Sequence, residues 1–315
     1  MASHQARVGA GAPARAGAPA RGRRSPLADR RLPWLMVLPA VVLILALSVY
    51  PLLFSVWVAF VNYDFEIPGH AFVGLNNFAQ AVGDPIARSS LLNTVVLAAA
   101  DVMIELLLGL LLALAMAPQF RGRGAVMSVL IVPLFISPVI VGQLWSLLLQ
   151  RPFGPTDYVL GLLLGREVTI SWLTEFPWNM VAIVVADVWQ WTPFVFVILL
   201  AGLTTISPQL YEAAALDGAG AWQAFRHITL PQLLPSILLA LTFRLLDATK
   251  LFDVIYVMTG GGPGSSTYTA SFYLYQVGFQ QFHLSKATAG GWIFLALTAV
   301  LIMALVRRLL PKEAE

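Results

Sequence analysis

Long apolar runs separated by short polar stretches set the architecture of this chain. Six runs, roughly 33–62, 91–117, 125–149, 179–204, 233–257 and 287–306, carry few or no charges. A helix that crosses the hydrocarbon core of a bilayer needs about 20 mostly apolar residues, and every run reaches that length. The pattern predicts an all-α integral membrane protein with six transmembrane helices. Leu32 to Tyr63 contains no charged residue, which is too long for the apolar region of about 7–15 residues in a cleavable signal peptide. Pro39, Pro51, Pro133, Pro138 and Pro193 lie inside the runs. Each removes a backbone donor and crowds the preceding turn, so kinks are expected there. Neighbouring helices can satisfy the freed carbonyls.

Composition agrees with lipid contact. The chain is 58% hydrophobic and 11% charged, against about 25% charged for an ordinary soluble domain. With no cysteine, disulfides, zinc ribbons and thiol nucleophiles are excluded. The four histidines are far apart, without metal-ligand spacing. A net charge of +3 and a pI near 9.3 would suit a nucleic-acid binder, but seven of the nineteen basic residues lie in the first 31 positions. In a membrane protein that clustering reports topology, not nucleic-acid binding.

Residues 1–31 are rich in Ala, Arg, Gly and Pro, with Asp29 the only acid. Such a segment buries too little apolar surface to fold and reads as a disordered basic cytoplasmic tail. Its prolines fit a transit peptide poorly. Residues 32–310 then form the six-span domain, and 311–315 a short cytoplasmic tail. With both termini inside, thirteen basic residues fall in cytoplasmic segments, including Arg30, Arg31, Arg121, Arg123, Arg307 and Arg308. Four (Arg88, Arg151, Arg166 and Lys286) fall outside, in accord with the positive-inside rule. The outer loops carry Asp64, Glu66, Asp84, Asp157, Glu167 and Glu175.

The cytoplasmic segment 205–232, between spans four and five, reads as a helix–turn–helix. Ser207 can cap a helix that begins at Pro208. Leu210, Ala213, Ala214 and Asp217 recur at steps of three or four, making a flat face of small side chains beside Glu212. Gly218 and Gly220 are expected to end that helix, since glycine adopts a left-handed conformation cheaply. A second helix, Ala221 to His227, would run to a break at Leu230-Pro231. A rigid Ala-rich face suits docking into a groove of another protein. Lying on lipid is the alternative, but the segment lacks the basic face that such helices carry.

Glu212-Ala213-Ala214, three residues, Gly218, nine residues, then Ile228-x-Leu230-Pro231 resembles the EAA loop of ATP-binding-cassette importer permeases. The similarity continues through FVGLNNF (72–78), LIVPLFISPVIVGQLW (130–145), VWQWTPFVFVILLAGL (188–203) and FRLLDATKLFDVIYVMTGGGPG (243–264). The last segment is similar to the carbohydrate-uptake branch. The resemblance implies a bacterial inner-membrane importer. Its parts would be this permease, a second permease subunit, two ATP-binding-cassette ATPase subunits and an extracytoplasmic sugar-binding protein. ATP and Mg would sit on the partner ATPase, with no cofactor on this chain. Glu212, Ala213, Ala214, Asp217, Gly218, Ile228, Leu230 and Pro231 would form the ATPase-coupling contact. The family's span five lines the translocation cavity.

No enzyme signature is present: no H-E-x-x-H, G-x-S-x-G or G-x-x-x-x-G-K-[ST]. TGGGPGSST (259–267) lacks the lysine of a phosphate loop and reads as a flexible outer turn. Arg244, Asp247, Lys250 and Asp253 alternate in sign at three-residue steps within the fifth run, where successive pairs can meet on one helix. They are expected either to be neutralised against the second permease or to line a sugar pathway. Trp145, Trp189, Trp191 and Tyr256 are candidates to stack on sugar rings. Asp101, Glu105 and Asp187 stand inside apolar runs. Intramembrane acids mark functional sites by default, which leaves an ion-coupled secondary transporter as the alternative. The interrupted half-repeats of such carriers are not evident.

Overall fold

The computed structural model describes residues 32–64, 69–152 and 154–309. The tail calls at 1–31 and 311–315, and Glu66 in the outer loop, lie outside the described residues. Among these residues fourteen α-helices succeed one another: α1 (Leu32–Ile44), α2 (Tyr50–Phe60), α3 (Asn76–Gly83), α4 (Pro85–Met116), α5 (Arg123–Ile131), α6 (Pro138–Leu149), α7 (Pro155–Leu164), α8 (Trp178–Thr204), α9 (Pro208–Leu216), α10 (Ala221–Ala224), α11 (Leu230–Ala248), α12 (Asp253–Met258), α13 (Ala270–Tyr275) and α14 (Leu284–Leu309). The described residues divide into two compact units between Leu53 and Phe54.

Among the described residues, five stretches are long and apolar enough to cross a membrane: Pro33–Phe60, Pro85–Met116, Trp178–Thr204, Ala221–Ala248 and Leu284–Ala304. Taken as one broken span, the bent pair Arg123–Phe135 and Pro138–Leu149 makes a sixth. Prolines shape several of them. The chain turns by 100° between the two halves of the third span, around Pro133 and Pro138, so the expected kink is a full break. Pro51 and Pro231 each occupy the second position of a helix that follows a π-helical turn, Leu45–Val49 and Phe225–Thr229 respectively. The wider turn makes room for a ring that would strike the carbonyl four residues back.

Two expectations are corrected here. The fifth run is not one helix over 233–257: α11 ends at Ala248, Thr249–Phe252 is a turn, and α12 restarts at Asp253, where an acid suits a helix N-terminus. Leu251 O, freed by the break, accepts a hydrogen bond from Thr269 Oγ1 at 2.7 Å. The turn at 259–267 is not loose either. Asn179 Nδ2 donates to Gly262 O and Ser266 Oγ (3.0 and 2.8 Å), and Thr259 and Thr267 share a hydroxyl bond of 2.8 Å.

α8 is the most enclosed span. Ala182, Ile183 and Ala186 pack with Leu97 of α4, Val141 of α6 and Val254 and Ile255 of α12. Further along, Val195, Phe196 and Leu199 pack with Ala113 of α4 and Leu233 and Ala240 of α11. Span two begins at Pro85, earlier than the apolar run at 91, because Asp84 caps the helix by accepting from Ile86 N at 2.8 Å.

Candidate functional site: a buried charge cluster and an exposed helical loop

Three membrane helices converge on one buried arginine. Arg244 of α11 is 1% exposed. Its Nε and Nη2 donate to the two carboxylate oxygens of Glu105 on α4, and Nη2 also reaches Asp187 Oδ2 on α8 at 2.8 Å. Nη1 donates to Asp247 Oδ2 at 2.8 Å. The guanidinium carbon lies 4.9 Å from the ring centre of Trp191, over the negative face of the indole. A planar fork suits this task, since it serves a bidentate carboxylate and two further acceptors at once. Asp101, one turn before Glu105, is fully buried and neither carboxyl oxygen has a hydrogen-bond partner among the described residues.

This geometry replaces the expected ladder. Arg244 and Asp247 do meet, but Lys250 stands exposed in the turn after α11 and Asp253 is exposed at the first position of α12. The turn between α11 and α12 interrupts the helical spacing on which the ladder depended. Neutralisation of Arg244 comes from within the chain, through Glu105 and Asp187. Sequence reasoning singled out these acids and Arg244 separately but did not pair them, because 139 and 57 residues separate Glu105 and Asp187 from Arg244. Charge balance between runs gave half a signal: the second and fourth runs hold unmatched acids, but in the fifth Arg244 and Lys250 balance Asp247 and Asp253, so nothing marked Arg244 as the missing partner. Trp191 is occupied by the guanidinium, and Trp145 and Trp189 pack edge-to-face at 6.0 Å against the core. Tyr256 is half-exposed, stacked on Phe252 at 5.6 Å. Asp187, Trp191, Asp247, Lys250 and Asp253 border a pocket of only about 80 Å³.

At the far end of α8 the chain enters the Ala-rich loop. Ser207 stands at the N-cap and Pro208 opens α9, but the Ser207 hydroxyl bonds Gln209 Oε1 instead of the expected backbone amide. Glu212 and Ala213 are exposed and Ala214 is half-buried on α9. Asp217 is the C-cap, and Gly218 turns the chain with φ +78°. Gly220 does not end this helix, as the sequence suggested. It is the N-cap of α10, where Gln223 Oε1 accepts from its N–H at 2.9 Å. No break follows at Leu230-Pro231: α10 runs through the π-turn into α11, so Ala221–Ala248 is one continuous span. Ile228 is half-buried in the π-turn, and Leu230 and Pro231 are exposed. Tyr211 OH and Thr229 Oγ1, 2.9 Å apart, tie α9 to the base of α11. Thus α9 is mounted on a helix that reaches Arg244 without interruption.

Comparison with known proteins places this architecture. A probable ABC transporter permease of Sinorhizobium fredii is 36% identical over 297 residues, covering 92% of this chain and 95% of its own. The trehalose/maltose transport system permease protein MalF of Thermococcus litoralis is 34% identical over 276 residues, covering 88% and 91%. A crystal structure of a bacterial alginate ABC transporter, in complex with an alginate pentasaccharide-bound periplasmic protein, contains a chain of the same fold. The TM-score is 0.75 with 26% identity, covering 86% of this chain and 91% of that one. The family model for the binding-protein-dependent transport system inner membrane component matches residues 105–312. That match takes in Glu105, Arg244 and the whole α9 loop, and this chain belongs to that family of transport permeases.

Proposed function

We propose that this chain is one half of the translocation pathway of an ATP-driven sugar importer, carrying a disaccharide or short oligosaccharide. The observation that carries the reading is near full-length likeness to a permease named for trehalose and maltose transport. A second permease completes the pathway, two ATPase subunits supply the work, and a solute-binding protein delivers the sugar. The alginate transporter's complex with a periplasmic protein supports that last partner. Both termini face the cytoplasm of a bacterial inner membrane. Glu212, Ala213, Ala214, Asp217 and Gly218 dock on the ATPase, and the continuous Ala221–Ala248 helix passes the motion to the Arg244 cluster. Family membership favours this reading over an ion-coupled carrier.

Reconstitution tests it. The isolated chain is expected to hydrolyse no ATP. The four-subunit complex in proteoliposomes is expected to hydrolyse ATP faster with sugar-loaded binding protein, and to accumulate labelled disaccharide. Uptake driven by a proton or sodium gradient without ATP would sink the proposal.

A further inference from the structure

Beyond the charge cluster, the helices enclose a second polar space. It has a volume of about 420 Å³ and lies between the end of α6, the segment leading into α8 and the end of α12. Ligand pockets run from about 300 to 1,000 Å³, so this one is large enough for a small ligand, unlike the 80 Å³ pocket beside Asp187. A crevice of about 320 Å³ between α4 and α14 is lined almost wholly by apolar side chains and offers hydroxyl groups nothing.

The polar space offers a different lining. Ser146, Gln150, Arg151, Trp172, Thr174 and Thr259 contribute to its walls. Ser146 Oγ is buried and has no hydrogen-bond partner among the described residues, an arrangement that costs about 1–3 kcal/mol until a partner arrives. One carboxylate braces two walls. Asp157 accepts from Trp172 Nε1 at 2.7 Å and from Ile170 N at 3.2 Å, and its Oδ2 lies 3.7 Å from Arg151 Nε. Asp157 therefore fixes the indole and offsets the one cationic side chain. What remains is amide, hydroxyl and aromatic surface interleaved with Leu149, Leu173, Val257 and Met258, a mixed lining that fits the hydroxyl edges and apolar faces of a neutral sugar ring.

Its place along the pathway follows from α8. The 171–174 segment lies just before the first residue of α8, and α9 follows its last. A 27-residue helix spans about 40 Å, so the cavity is at the membrane end remote from α9. Asp187 is roughly 14 Å along the helix axis from Trp178, deeper than the cavity.

We infer that this cavity is a saccharide subsite outward of the membrane-centre cluster, occupied by a neutral sugar before it reaches Arg244 and Asp247. The inference rests on the sugar-importer reading. Its test uses the four-subunit complex in nanodiscs, without binding protein, and saturation-transfer NMR with maltose, trehalose and maltotriose. Wild type is expected to transfer magnetisation to ring protons of at least one sugar. Gln150→Ala, and Thr174→Trp at an exposed wall position, are expected to weaken that binding about tenfold, the effect of losing one or two hydrogen bonds. ATP hydrolysis stimulated by loaded binding protein should stay within about twofold of wild type in both, a change worth less than 0.5 kcal/mol. Absence of any transfer in wild type, or unchanged binding in both variants, overturns the subsite. Loss of stimulation with sugar binding intact also overturns it and assigns the cavity to contact with the binding protein. If wild-type uptake of labelled sugar is normal in those cases, the importer reading survives. If uptake fails for every sugar, that reading falls as well.

Discussion

Arg244 holds both carboxylate oxygens of Glu105 across 139 residues of sequence and two membrane helices. Its remaining donors reach Asp187 and Asp247. Removing one partner of a buried ion pair costs about 3–5 kcal/mol, because the other charge is left unpaired. Arg244→Met is therefore expected to lower the melting temperature of the detergent-extracted complex sharply and to reduce the amount assembled. Arg244→Lys should rescue little, since an ammonium cannot grip Glu105 bidentately while serving two other acids. Asp247→Asn should be mild, because that side chain is half-exposed. The exchange Arg244→Asp with Asp247→Arg should fail to restore assembly, as it sets a third acid against Glu105 and Asp187. Normal melting in Arg244→Met would refute the role of the cluster.

Much of this arrangement was legible in the sequence, and the part that was not has a physical cause. Hydrophobic length placed the middle of each span, since a bilayer enforces it, but not the ends, which lie at Pro85 for the second span and at Ala221 and Ala248 for the fifth. The turn at Gly218 was readable because the restriction on φ is local. Periodicity could not reveal that α11 stops at Ala248: Leu251 and Val254 continue the apolar pattern, and the break is stabilised by Thr269, 18 residues on. The partners of Arg244 were equally hidden, since pairing between helices depends on packing that no single run encodes. Leu230-Pro231 misled because proline within an apolar run normally ends a helix, whereas a π-turn absorbs it here.

Gly218 separates local strain from crowding. Its φ is +78°, yet a Cβ built there meets nothing within 4 Å. The penalty of Gly218→Ala is therefore conformational, about 1–2 kcal/mol, and falls on the turn that holds α9 against α10. Membrane insertion should be normal, while sugar uptake and stimulated ATP hydrolysis fall together. Uptake at wild-type level in Gly218→Val, whose β-branch tolerates positive φ still less, would remove the turn from coupling.

Two further glycines permit close helix packing, a common device in membranes. A Cβ at Gly109 on α4 would lie 2.7 Å from Val195 Cγ1, and one at Gly202 on α8 would lie 2.8 Å from both Ser236 Cβ and Leu233 Cδ1. Neither helix can retreat without opening the core around Phe196 and Leu199. Overpacking costs about 1–3 kcal/mol, so Gly109→Leu and Gly202→Leu should each lower the melting temperature. Gly124→Leu, where a Cβ has open space, is the control and should not. Equal melting of all three would show that the contact is not tight in the membrane.

Asp84, one residue ahead of the second span, ties the start of α4 to the start of α14. Its Oδ1 caps the helix, and Oδ2 accepts from Lys286 Nζ at 2.6 Å and from Tyr273 OH at 2.9 Å. Burial pushes this carboxyl's pKa up, but the Lys286 and Tyr273 hydrogen bonds outweigh it and hold the group below its ordinary value. A folded-state pKa below the unfolded one, about 3.9 for Asp, stabilises fully above that value. The contribution disappears as pH falls through the lower, folded pKa. Melting of wild type should therefore keep its full Asp84 contribution from pH 7 down to about 5 and lose it below about 4. Asp84→Asn keeps a capping oxygen but forfeits the charge on Lys286, so it should melt below wild type near neutrality. The difference between the two should close as the pH drops below about 4. A gap that persists undiminished at low pH would mean that Lys286 gains nothing from the charge of Asp84, and that the tie between α4 and α14 is steric alone.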